Sequence, residues 1–383
     1  MSSGVSRERI RLLYLIPDLR GGGAELALIH FLEHHDPDAF ELHLAVCRPT
    51  GVHMARLPAR VTLHTLGKTG RWGVPALCWR LRGLVRRLRP DALISYLWYA
   101  DGLQLLTRRF FGRRGSWPRS ICSIRNVSAE LDEQRFGSFK RLALRRLYPD
   151  AEACLGISAG VVEDFERTFA RGTRPPTWLQ HNPFPLEAIR TGAEAGVAEW
   201  SDDSPRLLAV GRLTRQKGFD VLLTALARLR EMAWQLQVLG EGEERGALER
   251  QVERLGLAPR VSFRGFVDNP YPTMRSAALL LVPSRFEGFG GVLVEALALG
   301  TPIIAADCPS GPAEVLGDGA YGHLVPSEDA GALATAIEHL LKRPEALARY
   351  RARSAEGAER FAAERIMPGY EARIRALTEG RPA

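Results

Sequence analysis

The chain has 383 residues, of which 45% are hydrophobic, and its formal net charge at pH 7 is +8. This length is typical of two domains, and the apolar fraction is sufficient for two hydrophobic cores. No apolar run reaches the roughly eighteen residues of a membrane-spanning helix, and residues 1–9 lack the apolar stretch of a signal peptide. Five scattered cysteines, without metal-ligand or disulfide spacing, fit a reducing compartment. We therefore expect a cytoplasmic protein.

Strands and helices alternate through both halves of the chain, as in parallel sheets covered by helices on both faces. In the first half, strands are predicted near residues 11–16, 41–46, 61–65, 92–96, 120–124 and 153–157. In the second half, they are predicted from residue 206 and near 235–239, 261–264, 278–282, 302–305 and 322–325. The pattern predicts an α/β fold with two Rossmann-like, doubly wound parallel-sheet domains.

A linker is predicted between these halves. Residues 182–185 and 192–205 lose apolar periodicity and gain turn and acidic residues. We place the first domain at residues 1–190 and the second at 191–362. A last helical segment, in residues 363–383, follows without a partner strand.

The first glycine-rich turn, Gly21-Gly22-Gly23, lies between a buried strand and a predicted helix. Loops in this position face the ligand crevice of a doubly wound sheet, so Gly22 and Gly23 are candidate ligand-binding residues. The turn lacks the Gly-x-Gly-x-x-Gly spacing and does not indicate a dinucleotide.

A second glycine turn, in residues 207–220, carries two cations. Arg212 offers a planar fork for phosphate oxygens, and Lys217 offers a compact point charge. The whole chain has only four lysines, so Lys217 is not a default choice of basic residue. The alternative is a solvated surface pair.

Two glutamates mark the third glycine turn: Glu287 lies on the turn, and Glu295 lies inside the helix predicted to follow it. It follows a short apolar run and contains Pro283, Gly288, Phe289, Gly290 and Gly291. Helical spacing resumes directly afterwards. Free backbone N–H groups and the positive end of the helix dipole at such a helix start suit a phosphate. The alternative is an ordinary helix with a solvated carboxylate.

Further motifs stand at residues 311–315, Gly-Pro-x-Glu-Val, and at residues 322–325, Gly-His-Leu-Val. Together with Gly-Arg-x4-Lys-Gly at 211–218, Glu-Gly-Phe-Gly at 287–290 and the spaced glutamate pair, they resemble the retaining glycosyltransferases of family 4. The resemblance covers nearly the whole chain. It implies the GT-B architecture, in which two domains face each other across a crevice and the C-terminal helix packs back on the N-terminal domain.

The resemblance also implies roles for individual residues. Glu295 is expected to bind the nucleotide ribose, Glu287 to contact the transferred sugar, and the backbone near Val267 to seat the nucleobase. Gly22, Gly23 and the glycines of the third turn would contact the donor, while Arg212 and Lys217 stabilise the leaving diphosphate. None of the three glycine turns carries an Asp-x-Asp motif of the kind that holds divalent metals, so we expect a metal-independent reaction without a cofactor.

The acceptor side carries fewer transferable motifs. Many members of the family have a histidine after the strand at 92–96, where this chain reads Ser-Tyr-Leu-Trp-Tyr-Ala-Asp. Asp101 is either polar machinery or a helix cap. Arg125 and Asn126 either touch the acceptor or donor phosphate or form a turn with a surface arginine.

Positive charge is concentrated in residues 1–190, where arginines cluster around Arg80–Arg89, Arg108–Arg114 and Arg141–Arg146, near aromatic residues. Two interpretations are open: an anionic membrane surface that presents a lipid-linked acceptor, or an arginine-rich genome. Nucleic acid is not indicated, because no recognition motif accompanies the clusters.

These observations predict a glycosyltransferase of the hexosyltransferase type that uses a nucleotide sugar, with a UDP-sugar preferred. Its acceptor would be a glycan or a polyprenyl-diphosphate-linked saccharide. The alternatives are a nucleotide-sugar epimerase or phosphorylase of the same architecture, or a non-catalytic scaffold in a glycan-assembly complex.

Overall fold

The computed structural model describes residues 9–68, 73–112, 117–133, 137–169 and 175–380. The chain divides into two compact units, Met1–Pro183 with Ala363–Ala383, and Phe184–Ala362. The sequence-based boundary at residue 190 falls inside a helix of the second unit, Leu186–Gly192.

The first unit is an α/β sandwich built on one parallel sheet. Its elements are β1 (Ile10–Ile16), α1 (Gly23–His34), β2 (Phe40–Val46), β3 (Thr62–Thr65), α2 (Val74–Leu88), β4 (Ala92–Tyr96), α3 (Trp98–Phe111), β5 (Arg119–Ile124), α4 (Ser128–Glu133), α5 (Gly137–Leu147), β6 (Ala153–Gly156), α6 (Ala159–Phe169), β7 (Thr177–Leu179) and, at the end of the chain, α15 (Ala363–Thr378). The strand order is β3-β2-β1-β4-β5-β6-β7. The order therefore reverses between β1 and β4.

Both faces of this sheet are buried, as the near-continuous apolar strands predict. Along β1, Leu12, Tyr14 and Ile16 pack on one face, while Leu13 and Leu15 pack on the other. The alternation follows from the two-residue period of a strand. Helix α15 joins the first of these cores through Met367, Tyr370 and Ile374.

The second unit repeats the design with six parallel strands. Its elements are α7 (Leu186–Gly192), β8 (Arg206–Val210), α8 (Phe219–Ala227), β9 (Gln235–Leu239), α9 (Arg245–Arg254), β10 (Val261–Gly265), α10 (Tyr271–Ser276), β11 (Leu279–Val282), α11 (Gly291–Ala298), β12 (Ile303–Asp307), α12 (Pro312–Val315), β13 (His323–Pro326), α13 (Ala330–Leu341) and α14 (Pro344–Glu359). The strand order is β10-β9-β8-β11-β12-β13, with its reversal between β8 and β11.

The predicted fold class and all twelve predicted strands are confirmed, with bounds shifted by one or two residues. Strand β7 was not predicted. It has only three residues and follows two prolines, so it offers neither a run nor an alternation to detect. In the described residues, no helix is both long and apolar enough to cross a membrane.

Candidate active site at the switch point of the second sheet

The loops after β8 and β11 leave neighbouring strands at the point where the strand order of the second sheet reverses. In doubly wound sheets, ligands bind outside the carboxyl ends of the strands at this switch point. The first loop carries Arg212 and Lys217, and the second carries Glu287 and leads into α11. The fold therefore brings the loop of Arg212 and Lys217 to the loop of Glu287, about seventy positions later in the sequence.

Hydrogen bonds lock the two loops against each other. The N–H of Arg285 donates to the carbonyl oxygen of Gln216 at 2.8 Å, and the side-chain amide of Gln216 donates to the carbonyl oxygen of Phe286 at 3.0 Å. Gly218 has φ +64°, and a Cβ there would lie 2.1 Å from the carbonyl oxygen of Pro283. Only glycine fits this crossing, which fixes the position of Lys217.

Lys217 and Glu287 form an ion pair. The Nζ atom of Lys217 lies 2.5 Å from Oε1 of Glu287, and the two side chains are 17% and 7% exposed. The Ser284 hydroxyl donates to the same carboxylate oxygen at 2.7 Å. The Ser310 hydroxyl donates to the carbonyl oxygen of Glu287. Lys217 and Ser284 thus hold the Glu287 carboxylate in one orientation, and Ser310 holds the backbone of the same residue.

Arg212 differs from Lys217 in being exposed. Its guanidinium has no hydrogen-bond or ion-pair partner among the residues that the structure describes. A planar fork of five donors in this state is available for the oxygens of an incoming anion.

The start of helix α11 completes this group. Gly290, at the N-cap, has φ +85°, and no side chain caps the helix within the described residues. First-turn N–H groups carry the positive end of the helix dipole. Gly291 is half-buried, with the ring of Phe184 in contact range of a Cβ placed there.

The remaining donor-site candidates lie around this core. The Phe289 side chain is buried, stacked on Phe184 at 6.2 Å and edge-on to Phe361 at 5.2 Å, so it anchors the turn. The carbonyl oxygen of Gly288 lies 3.5 Å from the Ser310 hydroxyl. Glu295 is half-buried on the second turn of α11. Val267, also half-buried, follows the edge strand β10 and lies two strands away from β8.

The first unit has its own switch point, between β1 and β4. Gly22 and Gly23 follow β1 there, and Gly23 begins α1. A Cβ on Gly22 would lie 2.4 Å from the Glu25 carboxylate, so this turn tolerates no side chain without moving Glu25.

Asp101 lies inside α3 and is completely buried. Its carboxyl group accepts hydrogen bonds from Ser95 at 2.6 Å and from Tyr148 at 2.8 Å. Burial raises its pKa to about 7, against the lowering effect of these hydrogen bonds. The helix-cap interpretation is wrong, because the N-cap residue is Leu97 and none of the described side chains caps the helix.

Arg125 is buried and not the surface arginine of a turn. Its guanidinium donates to Asn182 and, at 3.4 Å, to Ser123, and it lies 5.1 Å from the ring centroid of Tyr96. Burial lowers the pKa of Arg125. Asn126, the next residue, is half-buried.

Sequence reasoning missed Ser284 and Ser310, the two hydroxyls that hold Glu287 and its loop. Ser284 lies within the third glycine turn and has a local signal, three positions before the glutamate. Ser310 has none. In the described ranges, no three His, Cys, Asp or Glu residues are grouped as metal ligands, and all five cysteines are free and buried.

Known proteins resemble this chain in sequence and in fold. Residues 204–343 match the family described as "Glycosyl transferases group 1". The N-acetylgalactosamine-N,N'-diacetylbacillosaminyl-diphospho-undecaprenol 4-alpha-N-acetylgalactosaminyltransferase of Campylobacter jejuni is 29% identical over 270 residues, which cover 70% of this chain and 72% of that protein. The phosphatidyl-myo-inositol mannosyltransferase of Mycobacterium leprae is 39% identical over 181 residues, 44% of this chain and 47% of that protein.

Among solved structures, Anabaena Alr3699/HepE in complex with UDP and glucose superimposes with a TM-score of 0.80 at 21% identity. The match covers 96% of this chain and 100% of that one. It shows the fold, while the family match and the named relatives show the class of enzyme. The protein is a glycosyltransferase with the GT-B fold.

Proposed function

We propose that the protein is a retaining glycosyltransferase of family 4 that moves a sugar from a UDP-sugar to a glycan or a polyprenyl-diphosphate-linked saccharide. The observation that carries this proposal is the Lys217–Glu287 ion pair at the switch point of the second sheet. Arg212, which has no side-chain partner among the described residues, lies on the same loop as Lys217. The family resemblance of the surrounding motifs supports the retaining assignment.

The leaving diphosphate of a sugar nucleotide gains negative charge as the bond from the anomeric carbon to the phosphate oxygen breaks. Arg212 and Lys217 supply two cations for this charge, and the start of α11 adds N–H groups. Lys217 exchanges the Glu287 carboxylate for a phosphate oxygen when the donor binds. Because these groups compensate the charge, we propose that the reaction needs no divalent metal and no cofactor.

Glu287 then faces the transferred sugar. Ser284 keeps one of its oxygens in place, so the carboxylate is oriented before the donor arrives. A fixed negative charge there stabilises the positive charge that develops at the reacting carbon. In the same proposal, Glu295 binds the ribose hydroxyls and the backbone near Val267 binds the base.

The acceptor class is supported by the relatives. One is named for transfer to a diphospho-undecaprenol-linked sugar, and another for transfer to a phosphatidyl-inositol. We therefore place the protein in the cytoplasm, on the inner face of the membrane as a peripheral protein. Asp101, Arg125 and Asn126 are proposed to shape the acceptor site from within, since the first two are buried.

Exposed aromatic side chains support the membrane surface. Trp79 on α2, Phe110 on α3 and Phe139 on α5 are 66%, 71% and 72% exposed, and α3 packs against both α2 and α5. A genome rich in arginine explains basic helices but not exposed phenylalanine and tryptophan, which prefer a membrane interface. The sequence places Arg80 in a basic cluster, but its guanidinium donates to the carbonyl oxygens of Leu66 and Gly67 and is not free for a membrane surface.

The membrane surface is tested by flotation with phosphatidylglycerol vesicles. The triple substitution Trp79→Ser, Phe110→Ser and Phe139→Ser should weaken binding at least about tenfold, since each ring loses apolar burial in the interface. Val197→Ser, at a fully exposed apolar residue of the second unit, is the matched control. Equal binding by wild type and triple variant would leave an arginine-rich genome as the only explanation of the basic clusters.

The donor site is tested by calorimetry with UDP, GDP and ADP, each with and without Mg²⁺. Wild type is compared with Arg212→Ala combined with Lys217→Ala. Binding of UDP that does not require Mg²⁺ and is lost in the double variant would support the donor assignment. Preference for another nucleotide would move the donor to that base, and binding that survives the double substitution would remove the site from this switch point.

The family match and named relatives favour glycosyl transfer over the epimerase, phosphorylase and scaffold alternatives. Product analysis with UDP-sugars and a polyprenyl-diphosphate-linked saccharide separates them further. Transfer with retained anomeric configuration supports the proposal. Isomerised UDP-sugar without transfer would favour the epimerase.

A further inference from the structure

The first unit contains a cleft of about 1260 Å³ that lies away from the carboxyl ends of the strands. Its walls include residues 90–91, 118–119, 150 and 152, which directly precede or begin β4, β5 and β6. The cleft is therefore at the amino ends of these strands. Strands of five or six residues span roughly 16 to 20 Å, so it is a separate site from Asp101 and Arg125.

Six arginines and three carboxylates line this cleft, and the carboxylates are already engaged. Asp150 accepts from Arg109 at 2.8 Å, and Glu152 forms a two-bond pair with Arg108. Asp91 accepts from the backbone N–H of Arg11 at 2.8 Å. Two of the six arginines are thus paired with carboxylates, and the cleft still carries more positive than negative charge.

Three of the remaining arginines, Arg86, Arg89 and Arg119, are exposed and have no side-chain partner in the part of the chain that the structure describes. Arg89 also has φ +49°, at the C-cap position of α2. Glycine is the usual residue there, since a side chain in this conformation costs about 1 to 2 kcal/mol. An arginine held in this way points to a use for its guanidinium.

The cleft also has an aromatic wall. The Arg82 guanidinium lies 5.3 Å from the ring centroid of Phe111, and Trp117 lines the same space. The indole nitrogen of Trp117 is buried and has no hydrogen-bond partner among the described residues. Guanidinium forks match a group with several anionic oxygens, and the rings provide contact for the rest of the molecule.

We propose that this cleft is a second anion site, which binds a phosphate-bearing ligand through Arg86, Arg89 and Arg119. A phosphate or diphosphate group accepts from several guanidinium groups at once, whereas one carboxylate has too few oxygens for all three. The phosphate comes either from a soluble phosphate ester or from an anionic lipid headgroup. The inference does not depend on the identity of the sugar donor.

The test measures binding of inorganic pyrophosphate by calorimetry. It uses the full chain with Arg212→Ala and Lys217→Ala, so that the switch point of the second sheet does not contribute. In this background, Arg86→Ala, Arg89→Ala and Arg119→Ala together should weaken binding at least about tenfold. The matched control replaces Arg250, Arg254 and Arg343 by alanine, since these are also exposed and unpartnered in the described ranges.

A second arm measures binding to vesicles of phosphatidylglycerol against phosphatidylcholine, with the same variants. Loss of pyrophosphate binding in the cleft variant alone identifies a soluble phosphate ligand. A parallel loss of phosphatidylglycerol binding, or such a loss without pyrophosphate binding by any variant, identifies a headgroup. Binding that is unchanged in the cleft variant, or reduced equally in the control, overturns the proposal, as does the absence of both kinds of binding. Thermal unfolding of each variant verifies the fold.

Discussion

The switch points of the two sheets differ in how their polar side chains are engaged. In the second sheet, Arg212 has no side-chain partner within the described residues, and Lys217 and Glu287 are paired with each other. In the first sheet, Asp101, which follows β4, and Arg125, which follows the neighbouring strand β5, are buried and hydrogen-bonded to neighbours in the same unit. The second switch point therefore keeps charges available for a ligand, whereas the first uses its charged groups to hold the unit together.

This difference predicts opposite effects of substitutions in the two units. A substitution among the exchangeable charges of the second unit should reduce transfer more than stability. A substitution among the buried polar groups of the first unit should reduce stability more than transfer.

The largest effect is expected for Lys217→Ala. Losing one cation opposite the leaving diphosphate should weaken transition-state stabilisation by about 2 to 4 kcal/mol. The kcat/KM with the sugar nucleotide should therefore fall roughly 30- to 1000-fold. Steady-state kinetics measures it. Lys342→Ala, which removes an exposed lysine paired with Glu338, is the control and should transfer normally.

Because Lys217 leaves a mostly buried carboxylate behind, the single variant also loses stability. Combining Lys217→Ala with Glu287→Gln removes that unpaired charge. Stability should recover in the double variant, while transfer stays low. Recovery of transfer together with stability would show that Lys217 acts only on the fold.

The next effect concerns Asp101, whose pKa burial raises to about 7. In an unfolded chain this carboxyl titrates near 3.9, so between about pH 4 and 7 only the folded state holds the proton. The free energy of unfolding from this group is therefore greatest at low pH and falls as pH rises through about 7. Asp101→Asn should reduce the fall between about pH 5 and 8 by roughly 2 to 3 kcal/mol in urea unfolding.

The pH dependence of the free energy of unfolding must be compared between variants, because other buried groups change it in the opposite direction. Burial lowers the pKa of His30 to about 3 and lowers that of His35. The contribution of each histidine to the free energy of unfolding is therefore lost as pH falls below about 6.5. Asp203→Asn, at an exposed carboxylate, is the control. Identical pH profiles for wild type and Asp101→Asn would contradict the raised pKa.

The fold was accessible from the sequence because buried parallel strands appear as continuous apolar runs, such as Leu12–Ile16 and Leu279–Val282. The donor-site motif was accessible for a related reason. Arg212, Lys217 and Glu287 lie in short segments between a strand and a helix, so their relation to the sheet follows from local order alone. The predicted roles of these residues remain predictions.

Contacts between distant segments were not accessible. Ser310 lies in the loop after β12 and bonds to the loop of Glu287, and no spacing in the sequence predicts that contact. Asp101 shows a different failure. An acidic residue near a helix start favours a cap by pattern, and only burial among Ser95 and Tyr148 reveals that it points into the unit.

A smaller effect is expected for Ser284→Ala. This hydroxyl orients Glu287, but Ser310 still holds the carbonyl oxygen of that residue, so kcat should fall only about three- to tenfold. The KM for the donor should change little, because Ser284 is expected to act through Glu287. Ser284→Thr should restore the rate, and Ser201→Ala, at an exposed serine, should leave it unaltered. A change in KM alone would place Ser284 in donor binding.

The smallest effect is expected for Tyr370→Phe, in the buried network of the first unit. Burial lowers the pKa of His35, so the neutral ring donates from Nδ1 to Glu371 at 3.0 Å and accepts at Nε2 from Tyr14 at 2.7 Å. The Tyr14 oxygen then accepts from Tyr370 at 3.0 Å. Removing only this last hydroxyl should lower the free energy of unfolding by about 1 kcal/mol, measured in urea.

Transfer by Tyr370→Phe should remain normal, since its ring keeps its contact with Phe31 at 4.6 Å and helix α15 stays packed. Tyr321→Phe, which loses a hydroxyl bonded to Glu356 in the second unit, is the matched control for the cost of one phenol. A fall in transfer larger than the fall in stability would break the contrast between the two units. It would show that the buried network of the first unit serves the reaction as well as the fold.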